Sequence, residues 1–118
     1  MNEQVAWLLE LSVRPGQLEN LTALMHEMVE STRNEQGTLA YEWSLNETGD
    51  VCHIFERFAD SGGPITHLAT FGERFADRFL AAVVPIGFCV YGTPSDEAKD
   101  AMSGLNPTYL APIGGFTR

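Results

Sequence analysis

The sequence predicts an α+β domain of ferredoxin-like β-α-β-β-α-β order, with an antiparallel sheet carrying both helices on one face. Three observations predict it. Segments of two-residue apolar periodicity flank two segments of helical periodicity, a Pro-Gly or Gly-Pro turn leads into each helix, and 118 residues suffice for one core but hardly two.

Val5, Trp7, Leu9, Leu11 and Val13 alternate with Ala6, Leu8, Glu10 and Ser12 as a first strand, and Arg14-Pro15-Gly16 ends it. From Gln17 to about Gln36, Leu18, Leu21, Met25, Met28 and Thr32 recur at helical spacing, and Gly37 stops the helix. Leu39, Tyr41, Trp43 and Leu45 alternate as a second strand. The loop Asn46 to Asp50, with Gly49 free to take positive φ, makes this strand the antiparallel neighbour of the third, Val51 to Phe58. Pro64 suits a first helical turn, and Ile65, Leu68, Phe71, Phe75 and Phe79 continue the second helix, with Gly72 as its expected break. Val83 to Tyr91 reads as a fourth strand in which Pro85 and Gly87 call for a bulge or an edge. Thr93 is the expected N-cap of a short third helix running to about Ser103. Residues 1–93 are thus read as the ferredoxin-like domain. Residues 94–118 add to it a short helix and an irregular, apolar tail expected to dock on something.

Seven Lys and Arg against sixteen Asp and Glu give a formal charge of -9, a field that repels phosphate backbones, so nucleic acid is not an expected partner. The longest apolar runs are far below the roughly 20 residues of a membrane span, and the polar start lacks a basic segment of the kind that opens an export signal. Cys52 and Cys89 lie in strand-like segments without CxxC spacing. Buried thiols in a reducing, cytoplasmic setting are therefore expected, and no metal site. Strands one, three and four carry apolar residues on both parities, such as Leu8 beside Trp7 and Phe55 beside Ile54. A second copy of the chain, packed sheet to sheet as a homodimer, is expected to cover the helix-free face.

Glu35-x-Gly37-Thr38-x-x-Tyr41, then Ile54-Phe55-Glu56-Arg57-Phe58-x-Asp60 and His67-Leu68-Ala69 followed at Phe75, resembles the antibiotic biosynthesis monooxygenase domain, a dimeric α+β barrel family. The resemblance spans about Val5 to Tyr91 and stops before the tail. It implies a cofactor-free oxygenase acting with dioxygen on a small aromatic substrate of quinol or anthrone type, in a homodimer. Such chemistry needs an apolar pocket, a base and anion-stabilising donors.

His67 occupies the position of the family's helix-two histidine and is the first candidate base, an imidazole with an ordinary pKa of about 6.5 being able to take a phenolic proton. Tyr41 matches a family position and is the second catalytic candidate. Trp43 shares its strand face and is expected to line the pocket, although core packing is the commoner role for such a residue. Glu56 sits among apolar neighbours, where an acid either pairs with a cation or has a raised pKa, and is a candidate substrate contact. Phe71 and Phe75 offer an aromatic helix face to a flat ligand, or simply fill the core. The alternative is a non-catalytic ligand-binding or structural dimer. Isomerase and haem-degrading relatives are less favoured, the latter because Glu73 to Leu80 holds no axial histidine.

Overall fold

The structure, a computed structural model, describes residues 3–118. The two-residue alternation produces β1 (Val5–Val13), β2 (Thr38–Leu45), β3 (Val51–Phe58) and β4 (Val83–Tyr91). Between them lie α1 (Leu18–Arg33), α2 (Gly62–Arg74) and α3 (Ala76–Ala82). The chain closes with α4 (Asp96–Met102), a 3-10 turn at Ser103–Leu105 and β5 (Thr108–Leu110). The sheet order is β2-β3-β1-β4-β5, antiparallel except for the last pair.

The expected β-α-β-β-α-β order holds, with three local differences. The second helix breaks at Phe75, not at Gly72. Phe75 takes φ -127° and ψ -18°, which turns it and Phe79 into the core, and amide hydrogen bonds from Phe75 to Phe71 and from Phe79 to Phe75 carry across the bend. The third expected helix is capped by Ser95, whose hydroxyl accepts from the Ala98 amide, while Ser95's own amide donates to Ser61 Oγ and ties α4 to the start of α2. The tail is not wholly irregular. Asn106 takes a left-handed conformation, φ 54°, and sends the chain back as β5, parallel to Cys89–Tyr91. Pro85 and Gly87 do mark a bulge: the pairing with β1 skips Ile86 between Glu10 and Leu11.

The helices cover one sheet face and bury two apolar clusters. One joins Leu21, Leu24 and Met28 of α1 with Leu11, Ile54, Phe75 and Phe79. Leu24 belongs to this core although it lies outside the stripe read from the sequence. The other joins Ala98 and Met102 of α4 with Trp7, Phe58, Phe88 and Val90. Leu9 touches both, and a cavity lies along that seam. At the open end of the sheet, Gly63 of α2 lies so close to β3 that a Cβ there would sit 2.7 Å from Phe58 Cδ1, and Gly37 approaches the Gly63 Cα to 3.3 Å in the same sense. Two glycines thus let the α1–β2 loop press onto the first turn of α2.

Candidate active site

The floor of the site is one row of the sheet. The hairpin register set by the Asn46 to Asp50 loop, where Asn46 Oδ1 accepts from the Asp50 and Val51 amides, places Tyr41 opposite Glu56. On the other side of β3, Trp7 stands opposite Glu56. Directly paired residues share a face, so Tyr41, Glu56 and Trp7 form a continuous row under the helices.

His67, in the second turn of α2, closes this row from above. Its ring centroid lies 5.4 Å from Tyr41, 5.9 Å from Phe58 and 6.1 Å from Trp7. Both ring nitrogens face carboxylates: Nδ1 is 3.0 Å from Glu35 Oε1 and Nε2 is 3.1 Å from Glu56 Oε2. The first contact is a directed hydrogen bond. The second is a contact at ion-pair distance, and Glu56 Oε2 has no directed hydrogen-bond partner. All three side chains are buried, at 7% exposure for His67, 4% for Glu56 and 11% for Glu35.

Burial alone would lower the His67 pKa, but hydrogen bonding and charge from Glu35 and Glu56 outweigh it and hold the imidazole up at about 9 instead of 6.5. His67 is therefore an imidazolium at neutral pH, unlike the neutral base expected from the sequence. Burial pushes the Glu56 carboxyl up, against the opposing pull of His67. Burial, then the negative charge of Glu56, raises Tyr41 so far that its hydroxyl remains a donor at any ordinary pH.

A cavity of about 80 Å³ opens beside this cluster. Trp7, Leu9, Tyr41, Ile54, Phe71 and Phe88 are among its walls, and the side chains of Glu56 and His67 border it with almost no polar surface open to the space. Leu80 of α3 and Leu105 after α4 also line it, Leu80 being 47% exposed. Trp7 Nε1 and Tyr41 Oη are buried without a partner at hydrogen-bonding geometry; Glu56 comes near the first, and Trp43 and Thr32 near the second, without reaching it. The arrangement can hold or release a proton at Glu56 and present two spare donors to an anion.

Of the residues singled out in the sequence, the structure brings His67, Tyr41, Glu56 and Phe71 together at the cavity. Trp43 does not line it. Its indole packs edge-on against Tyr41 and Phe79, one position further along β2. Phe75 is also off the cavity, turned into the α1 side of the core by the break between α2 and α3. Trp7 and Glu35 join the site without having been candidates. Among the described residues no group of three His, Cys, Asp or Glu converges on a metal position, and the two carboxylates meet opposite edges of one imidazole. No helix among them is long and apolar enough to cross a membrane.

A ferredoxin-like sheet bearing a buried acid–base cluster at an apolar cavity defines the class of this chain as a small α+β domain with a helix-covered cavity. Residues 5–83 match the model of the family described as antibiotic biosynthesis monooxygenase, and the chain belongs to that family. No curated protein sequence matches it. Among solved structures it is similar to MupZ from Pseudomonas fluorescens, at 23% identity and a TM-score of 0.90, over 100% of this chain and 91% of that one. It is also similar to SnoaB, a cofactor-independent oxygenase from Streptomyces nogalater, at 10% identity and 0.67, over 79% and 95%. A conserved protein from Methanosarcina mazei matches at 17% identity and 0.67, over 75% and 90%. These likenesses establish the fold, including, for MupZ, the C-terminal segment.

Because the His67 pKa in the fold lies above the 6.5 of an unfolded chain, the stabilisation it brings is complete below pH 6.5 and is lost as pH rises through about 9. Thermal denaturation should accordingly show the Tm falling between pH 6.5 and 9, and His67→Gln should flatten that slope. An unchanged slope in the variant would refute the assignment.

Proposed function

We propose that the chain is a cofactor-independent monooxygenase acting on a small electron-rich phenol, with Glu56 as the base. The carrying observation is that Glu56, the acid whose Oε2 lacks a directed hydrogen bond, borders an apolar cavity between two unpartnered donors, Tyr41 Oη and Trp7 Nε1. Glu56 takes the phenolic proton. The oxyanion accepts hydrogen bonds from Tyr41 and Trp7, which lowers the cost of forming it in a dry site. His67, set between Glu35 and Glu56, offsets the charge of the carboxylates before substrate binds.

The electron-rich anion then passes one electron to dioxygen, and the resulting radical pair joins through a C–O bond as a peroxide. Cleavage of the O–O bond then expels the distal oxygen, which takes up the Glu56 proton and the proton lost from that carbon, to give a carbonyl and water. One oxygen atom ends in the product and one in water, and the substrate supplies all four electrons that reduce dioxygen. Family membership supports the reaction class, and the cavity limits the substrate. At about 80 Å³ it is smaller than the roughly 150 Å³ that admits benzene in an engineered apolar cavity. A single-ring hydroquinone, entering as Leu80 and Leu105 move apart, fits this site better than a three-ring anthrone.

We further propose that the working unit is a homodimer joined through the helix-free sheet face. Leu8, Phe55, Cys89, Tyr91 and Leu110 share that face by direct cross-strand pairing, and Phe55, Tyr91 and Leu110 are exposed in the single chain. A second copy would bury them. Cys52 and Cys89 as free thiols support a reducing, cytoplasmic setting.

Oxygen-electrode assays with substituted hydroquinones and with anthrone should show uptake, fastest with single rings. Glu56→Gln should lower kcat by about a hundredfold or more, and Tyr41→Phe by about a hundredfold. No uptake with any substrate, or full uptake in Glu56→Gln, would overturn the reading. In analytical ultracentrifugation the chain should sediment as a dimer at micromolar concentration and Leu8→Asp as a monomer; a wild-type monomer would end the dimer proposal.

A further inference from the structure

Glu35 does not line the cavity, yet it is the second carboxylate on His67 and belongs to a different compartment. Glu56 faces the cavity. Glu35 instead lines a groove formed by Gly37 of the α1–β2 loop, Thr38 at the start of β2, Asp60 just before α2, and Gly62 and Thr66 in the first turns of α2. Its backbone is fixed from both directions: the Glu35 amide donates to the Thr32 carbonyl and the Glu35 carbonyl accepts from the Thr38 amide. The close approach of Gly37 to Gly63 brings this loop against α2 and sets Glu35 Oε1 on Nδ1 of His67. One imidazole thus spans a wall of the protein, with a carboxylate at each nitrogen and a separate recess beyond each carboxylate.

We propose that Glu35 is the solvent-side terminal of this cluster, so that a proton gained by Glu56 in the cavity is matched by a proton released from His67 Nδ1 through Glu35 into the groove. The balance is simple. Counted from two carboxylates and an imidazolium, the cluster carries a charge of minus one. A proton arriving on Glu56 makes it neutral. The Nδ1–H then passes to Glu35 and on to water, leaving a neutral imidazole that keeps its Nε2 hydrogen, and the charge is minus one again. The reverse sequence restores the resting state. No atom crosses the apolar cavity, whose walls are nearly devoid of polar surface.

The geometry favours the groove as the exit on two counts. Glu35 is the most exposed member of the cluster, at 11% against 4% for Glu56. The other groups around the ring are poor carriers: Trp7 has no exchangeable acid, and the Tyr41 hydroxyl is held far above neutral pH by burial and by Glu56. Asp60 is the second carboxyl of the groove, and its Oδ1 is committed to the Gly62 amide at 2.9 Å. The benefit of such an exit to turnover rests on the oxygenase reading, but the path is a property of the free protein and can be measured without substrate.

The test is exchange of the His67 Nδ1 proton with water, followed by NMR on protein carrying 15N-labelled histidine. Glu35→Gln keeps a hydrogen-bond acceptor for Nδ1 but cannot take up the proton, and should slow exchange by about a hundredfold, the lower range of what a positioned base contributes. Asp60→Asn, at the other carboxyl of the groove, should leave it near the wild-type rate. A wild-type rate in Glu35→Gln, or equal slowing in Asp60→Asn, would overturn the proposal. In unaltered protein, filling the cavity with xenon should leave the exchange rate unchanged, and slowing under xenon would place the exit at the cavity mouth instead. Failure of hydroquinone oxidation would leave these results standing, so the two ideas are refuted separately.

Discussion

A cationic imidazole buried between two carboxylates constrains everything around it. Removing His67 would leave two carboxylates in an apolar interior without their cation, a change that typically costs about 3–5 kcal/mol. The pairing therefore holds only while β3, α2 and the α1–β2 loop keep their positions to a few tenths of an ångström. The fold meets this demand with small residues at the contact points. Gly63 lets α2 settle on Phe58, and Gly37 lets the loop settle on Gly63, which fixes both ends of the Glu35–His67–Glu56 line.

The same constraint divides the core. A continuous apolar filling would have no place for the ionised row, and the helices instead bury two clusters, one under α1 and α3 and one under α4. The cavity occupies the seam between them. Its wall is almost wholly hydrocarbon, so the few polar groups that reach it are desolvated and strongly felt. Tyr41 and Trp7 there are donors awaiting an acceptor, and a bound oxyanion would give both a partner. Pairing a base with two such donors in a dry recess is the physical requirement of a reaction in which the substrate's own anion reduces dioxygen.

Much of this was legible in the sequence, and the limits follow from geometry. Strand and helix periodicities marked each main element, and the short loop from Asn46 to Asp50 even sets the register that faces Tyr41 with Glu56. The pairing of Trp7 with Glu56 was not legible, because β1 and β3 are joined through a helix and another strand, and no local turn fixes their register. Glu35 stood in the stretch that resembles the family, but it lies on a loop 32 residues before His67, and only the Gly37–Gly63 contact brings them together. Trp43 and Phe75 were placed on the right face of their elements. Periodicity gives a face but not a distance along it, and both fall just outside the cavity. The kink at Phe75 was missed because Gly72, the obvious weak point, is exposed and unconstrained, whereas core packing of Phe75 and Phe79 decides where the helix turns.

The charge state of His67 is the quantity on which the site depends, and NMR titration of its ring nitrogens reads it directly. An apparent pKa near 9, with both nitrogens protonated at neutral pH, is the expected result. A value at or below 6.5, with one nitrogen bare at neutral pH, would contradict the account, because the imidazole could not then be the cation that holds Glu35 and Glu56 together.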